Sequence, residues 1–206
     1  MSRLSYLALG DSYTIGEGVD AAGRWPMQLA QGLRDAGIAI TDPRIIATTG
    51  WTTDELSAAM ETAEPLGEWD LVSLLIGVNN QYRGRDVDDY LGEFTRLLQR
   101  AIALAGDRSD RVLVLSIPDW GVTPFAFASG RDRQAIADDL DAYNAAAREL
   151  SEAHGVAFVD ITAISRDGGG RPAMLADDGL HPSAAQYARW ADAALPVAAR
   201  LLLSDT

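Results

Sequence analysis

Five short aliphatic runs, separated by segments with helical periodicity, constrain this chain more than any other feature. They are Leu4–Leu9, Arg44–Ala47, Leu71–Ile76, Val112–Ile117 and Val156–Val159, rich in Leu, Val and Ile and nearly free of polar alternation. A strand apolar on both sides is one covered on both faces, which is the situation in a parallel sheet. Between the runs, Trp25, Leu29 and Leu33 recur at i, i+4 and i+8 within 25–36, and Tyr90, Leu91, Phe94, Leu97 and Leu98 share a face within 87–105. Segments 133–154 and 184–203 are Ala-rich and amphipathic, and Gly155 stops the first. Thr52 and Glu55 in "TTDEL" have capping-box spacing. Strict alternation predicts an α/β fold: three α/β/α layers around a five-stranded parallel sheet in the flavodoxin-like order. At 206 residues, 48% of them hydrophobic, one domain over 1–206 has ample core.

In sheets of this kind ligands bind beyond the carboxyl ends of the strands. The loops opening at Gly10, Thr48, Gly77, Pro118 and Asp160 are therefore expected to hold the chemistry. Composition narrows which chemistry. There is no cysteine, so disulfides and thiolate nucleophiles or metal ligands are excluded. Thirty acidic against 17 basic residues give a net charge of −13, which repels nucleic acid and anionic membranes. The arginines are scattered, and Arg131 and Arg133 flank Asp132. No stretch approaches the ~18 apolar residues of a membrane span. "MSRLSYLALGDS" lacks a small-residue cleavage site and reads as a buried strand, not a signal peptide, which gives a cytoplasmic expectation. "RDGGGRP", Arg166 to Pro172, reads as a flexible loop within the domain.

The chain has only two histidines. His154 closes a predicted helix before Gly155, where its ring caps the last carbonyls. His181 lies in the polar loop "DDGLHPS", kept non-helical by Pro182. Asp178, three residues earlier, is spaced to accept from the imidazole Nδ1–H, leaving Nε2 as a base; Asp177 is its rival. Ser12 follows the first strand and a glycine, where an adjacent imidazole would make it a nucleophile and where a turn serine is equally at home. Acyl transfer also needs donors aimed at the developing oxyanion. Gly50 in "ATTGWTT" offers a backbone N–H without a Cβ in the way, and Asn79 in "LLIGVNNQY" offers a side-chain amide.

"GDS" after the first strand, Gly50 after the second, "GVNN" after the third and "DGLH" near the C-terminus resemble, in order, the four blocks of SGNH hydrolases, the GDSL esterases and lipases. "SIPDWGVTPFA" also resembles bacterial members. The blocks run from Leu9 to His181, nearly the whole chain. The resemblance implies the SGNH fold and a serine esterase acting on carboxylic esters, short- to medium-chain or acetyl, through an acyl-enzyme. It implies Ser12 as nucleophile, His181 as base, Asp178 as its orienting acid, and an oxyanion hole of the Ser12 N–H, Gly50 and Asn79. No metal or cofactor is implied. One departure stands out: the third block usually ends Asn-Asp and here reads Asn79-Asn80. With Asn79 as the donor, Asn80 supports the loop and Asn80→Asp is expected to be tolerated. The competing account exchanges the two roles.

Other classes leave their own marks. Gly16 to Ala21 matches G-x-G-x-x-A in letters, yet starts six residues past Gly10 and is crowded by Asp11, Glu17 and Asp20. A flavodoxin-like FMN carrier would use "SYTIG" for phosphate and Trp51 or Trp120 for stacking, and would leave Asp178 and His181 idle. A catalytically silent binding module on the same scaffold would keep every residue without the reaction. Tyr13, Trp51, Tyr82, Trp120, Phe125 and Phe127 surround the expected cleft, with Trp51 and Trp120 the candidates for substrate contact because both fall at strand ends. Residues 118–130, long for a connection, are placed to form a lid or acyl wall.

Overall fold

The computed structural model describes residues 3–203. Five strands, β1 (Tyr6–Gly10), β2 (Arg44–Ala47), β3 (Leu71–Leu75), β4 (Val112–Leu115) and β5 (Ala157–Val159), form one sheet in the order β2-β1-β3-β4-β5. All four pairings are parallel. The expected α/β architecture and flavodoxin-like order are observed. β1 begins two residues later than its apolar run, because Leu4 makes only an isolated bridge, to Ile40. Ile76, Ser116 and Ile117 stay buried but leave the ladder, since the chain turns there into the loops at the sheet's carboxyl edge.

The helices are α1 (Ser12–Ile15), α2 (Trp25–Asp35), α3 (Thr53–Thr62), α4 (Val78–Tyr82), α5 (Val87–Leu104), α6 (Pro124–Ser129), α7 (Arg133–Ala153), α8 (Thr162–Arg166) and α9 (Ala184–Leu203). α2 packs on α9 in one layer, and α3 and α7 flank α5 in the other. Strands β1, β3 and β4 are buried at every residue, which is why their sequences lack alternation. Trp25 and Trp190 from the first layer and Tyr90 and Phe94 from the second are among the bulkiest side chains in the core. Each such burial removes enough apolar surface to stabilise the fold by roughly 2–3 kcal/mol.

Cap chemistry agrees with the sequence. Thr52 and Glu55 form the capping box of α3, the Glu55 carboxylate accepting from the Thr52 N–H at 2.9 Å. His154 follows α7 and its Nδ1 lies 2.9 Å from the Leu150 carbonyl. The 166–172 segment is bonded to itself and to the end of α8. Its N–H groups are tied down one after another, Gly169 to Ser165 O at 2.9 Å and Arg171 to Gly168 O at 3.1 Å, and Gly169 is buried. Glycine-rich composition here serves tight turns. Among the described residues no helix is long and apolar enough to cross a membrane.

Candidate active site

At the carboxyl edge of the sheet, β1 passes straight into the single turn of α1. Gly10 is required by proximity: a Cβ there would lie 2.2 Å from Thr14 Oγ1 and 2.5 Å from the Leu75 carbonyl. Asp11 caps the turn, its Oδ1 accepting from the Tyr13 N–H at 3.0 Å. This carboxyl is fully buried, and burial outweighs the Tyr13 and Gly77 N–H groups and pushes its pKa up to about 7. Ser12, only 4% exposed, is the first residue of the turn and is presented at the floor of a cavity.

That cavity, of about 220 Å³, is lined by Ser12, Gly50, Asn79 and His181 together with an apolar set that includes Val78, Tyr82, Trp120, Phe125 and Leu180. Four candidate groups from four separate segments thus meet in one space. Gly50 has φ +90° with open space where a Cβ would go, so backbone conformation alone calls for glycine. Its carbonyl accepts from Arg83 Nη2 at 2.7 Å, and the same nitrogen reaches Glu55 of the capping box at 3.2 Å. Asn79 stands in the first turn of α4 and its Nδ2 donates to the Trp51 carbonyl at 2.9 Å. An amide nitrogen carries two protons, so one remains for a substrate oxygen.

His181 and Asp178 share a closed loop. The Ala176 N–H donates to the His181 carbonyl at 2.8 Å, and Leu175 and Pro182 form an antiparallel bridge. Asp178 Oδ1 accepts from the N–H groups of Leu180 and His181, both at 2.9 Å, and Oδ2 lies 2.5 Å from His181 Nδ1. Partial burial raises the Asp178 pKa, but the imidazole and the two N–H groups more than offset it and hold it below the usual carboxylate range. Asp177 makes no such contact, which separates the two rivals. The Tyr13 ring meets His181 edge-on at 6.0 Å and Trp190 at 5.8 Å, so a buried aromatic stack backs the imidazole. Ser12 and His181 line the same cavity without a direct hydrogen bond; bonds of this type tighten when substrate arrives.

Two expectations change. Trp51 does not line the cavity: α3 starts two residues later, its half-buried ring packs against the core, and only its carbonyl reaches the site. Phe127 points away and is 66% exposed, with Arg133 stacked 3.9 Å over its ring. Trp120 does line the cavity, its Nε1 donating to Gln81 Oε1 at 3.0 Å. Residues 118–130 fold into a wall, Trp120 and Phe125 facing the cavity and the Phe125 N–H bound to the Gly179 carbonyl at 3.2 Å. Sequence reasoning missed Val78 and Leu180, each next to a motif residue. It also missed Arg83 and Asp11, whose roles depend on partners distant in the chain or on burial. Asn80 is not part of the lining; its side chain is fully buried against Thr53. The "GEG" glycines after Ile15 open no long helix, since Gly16 caps α1 at φ +71°, so no dinucleotide loop exists here. Among the described residues no cluster of three or more His, Asp or Glu could hold a metal ion.

The family model described as the GDSL-like Lipase/Acylhydrolase family matches residues 8–189. Among solved structures, TesA matches at 22% identity over 96% of this chain and 99% of its own, with a TM-score of 0.72. A lipase/acylhydrolase from Enterococcus faecalis matches at 21% identity over 97% and 96% of the two chains, with a TM-score of 0.70. Axe2, an acetylxylan esterase from Geobacillus stearothermophilus, matches at 21% identity over 96% and 94%, with a TM-score of 0.71. At these identities the likeness shows a shared fold. No curated protein sequence matches the chain.

Proposed function

Because this chain belongs to the GDSL-like lipase/acylhydrolase family and is a carboxylic ester hydrolase, we propose that it is a serine esterase for short- to medium-chain or acetyl esters, working through an acyl-enzyme. The observation that carries this reading is the convergence of Ser12, Gly50, Asn79 and His181 on one cavity, with Asp178 bonded to the far side of the imidazole. Ser12 Oγ attacks the ester carbonyl while His181 Nε2 takes its proton. Asp178 fixes the tautomer and stabilises the imidazolium. The tetrahedral oxyanion accepts from the N–H groups of Ser12 and Gly50 and from Asn79 Nδ2. Collapse breaks the bond to the alcohol, which leaves with the proton from His181. Water, deprotonated by the same ring, then releases the acid and restores Ser12.

The lining supports the choice of substrate. A cavity of about 220 Å³ is smaller than the ~300–1,000 Å³ typical of drug-sized ligand sites, and its apolar wall suits a short acyl chain. Acetyl esters belong in the range because one structural neighbour is an acetylxylan esterase. A panel of p-nitrophenyl esters of increasing length is expected to give kcat/KM highest for the shortest chains and falling as the acyl group outgrows the wall. A fluorophosphonate probe is expected to label Ser12 one-to-one and abolish turnover, with no effect from a chelator. Ser12→Ala is expected to lower kcat on the order of 10⁴-fold or more with the fold intact. Activity that survives full Ser12 labelling sinks the reading. His181→Gln is expected to abolish turnover and His154→Gln to spare it, since His154 only caps α7.

A further inference from the structure

Two side-by-side ties join the first turn of α4 to the segment entering α3. One is the Asn79 bond to the Trp51 carbonyl. The other is Asn80, whose Oδ1 accepts from the Thr53 N–H at 3.1 Å and whose Nδ2 donates to Thr53 Oγ1 at 2.6 Å. Thr53 and Asn80 are both fully buried. The direction of each bond follows from chemistry. A backbone N–H can only donate, so it orients the Asn80 amide and places Nδ2 against the hydroxyl. The hydroxyl has one proton, and it goes to the Glu93 carboxylate on α5, which can only accept. Glu93 is held in turn by Arg85 Nη1 at 3.3 Å, and that nitrogen also pairs with Asp54 at 2.8 Å.

We propose that Glu93 is a positioning residue for the oxyanion loop, acting through a one-way relay from Asn80 to Thr53 to Glu93. Trp51 adjoins Gly50 and Asn80 adjoins Asn79, so these two ties set the distance between both assigned oxyanion donors. The proposal rests on the oxyanion reading of Asn79 given above. A carboxylate at position 80 would need the very proton that the Glu93 carboxylate already accepts, leaving two acceptors, the one at position 80 fully buried and Glu93 partly so, competing for one donor.

The test is a cycle of N80D, E93Q and the double variant, assayed for kcat, KM and Tm on one short-chain p-nitrophenyl ester. The sequence alone predicts that Asn80→Asp is tolerated; the contacts of Asn80 with Thr53, and of Thr53 with Glu93, reverse that expectation. N80D is expected to lower kcat roughly 10-fold or more with KM within about 2-fold, as for a coupled network. E93Q alone keeps an acceptor in its side-chain carbonyl and is expected to lose less. In the double variant the relay reverses: the Thr53 hydroxyl donates to the carboxylate introduced at position 80, and the amide introduced at position 93 donates to the hydroxyl. Its kcat is expected to return to within about 3-fold of wild type. A near wild-type kcat in N80D, or a double variant no better than N80D, overturns the proposal. So does a rescue of Tm without a rescue of kcat, which would make the tie structural only. Asn79→Ala assayed alongside separates the two readings. Undiminished kcat there sinks the oxyanion assignment, whereas an impaired Asn79→Ala with no reciprocal rescue sinks the relay alone.

Discussion

The two halves of the site are built differently. The half proposed to hold the nucleophile and oxyanion donors follows β1, β2 and β3: Asp11, Thr52, Thr53 and Asn80 are fully buried, and its ties join residues about 30 positions apart. The base half is a short loop whose important bonds span two to five residues, and the Asp178 side chain is 43% exposed. Alignment in the first half is therefore a property of the packed core, and in the second of local turn chemistry braced by Tyr13 and the Gly179 contact with α6. Core-anchored positioning thus sits where the proposed mechanism has charge develop on the substrate. His181, the proposed proton carrier, which on that reading must change partners during turnover, sits on the less buried side.

If this contrast is correct, the largest effect should come from the buried half. Asn79→Ala is expected to lower kcat roughly 10²–10³-fold with a smaller change in KM, because its bond strengthens only as the oxyanion forms. Equal effects on kcat and KM in steady-state kinetics would break the contrast. In the base half, Asp178→Asn is expected to lower kcat/KM on the order of 10²-fold while Asp177→Asn changes it less than about 2-fold. A partly exposed acid is screened by water, so its loss should fall short of what a buried orienting acid gives. Should Asp178→Asn prove more damaging than Asn79→Ala, the base half is the more demanding of the two.

A smaller effect concerns pH. Asp11 has a folded-state pKa raised to about 7, so its neutral form favours folding at low pH. That contribution is present in full below the unfolded carboxylate value of ~3.9 and is lost as pH rises through about 7. Asp178 works in the opposite sense: its lowered pKa stabilises above the unfolded value, and the contribution is lost as pH falls through the lowered one. The lowered carboxylates, Asp54, Glu55, Glu64 and Asp110 among them, have given their stabilisation by about pH 5, so the Asp11 contribution is expected to make wild-type Tm decline from about pH 5 to 7. Asp11→Asn, which keeps an acceptor for the Tyr13 N–H, is expected to flatten that decline. A pH dependence of Tm unchanged by Asp11→Asn would show that the buried half tolerates an ionised Asp11 after all.

The layered fold was legible because each central strand is buried on both faces and each long helix carries its own apolar stripe, and both are periodicities of the local chain. Strand ends were misjudged by one or two residues, since Ile76 and Ile117 are buried by loop packing and look like strand. The bond between Asp178 and His181 was legible for the same local reason, being a three-residue loop contact next to Pro182. Trp51 was misjudged because a position at a strand end does not reveal which way a ring turns, and the start of α3 turned this one onto the core.

What the sequence determined by itself was therefore the element pattern, the order of the motif blocks and two contacts closed within one turn, the Thr52–Glu55 capping box and the Asp178–His181 pair. Tertiary structure alone decided that Arg83 would hold the Gly50 carbonyl, that Asp11 would lose its solvent and titrate near neutrality, and that Glu93 would meet Thr53 across 40 positions. The physical reason is the range of the forces concerned. Hydrophobic periodicity and capping act over a few residues, whereas desolvation and the direction of a buried proton depend on which groups the completed core brings together.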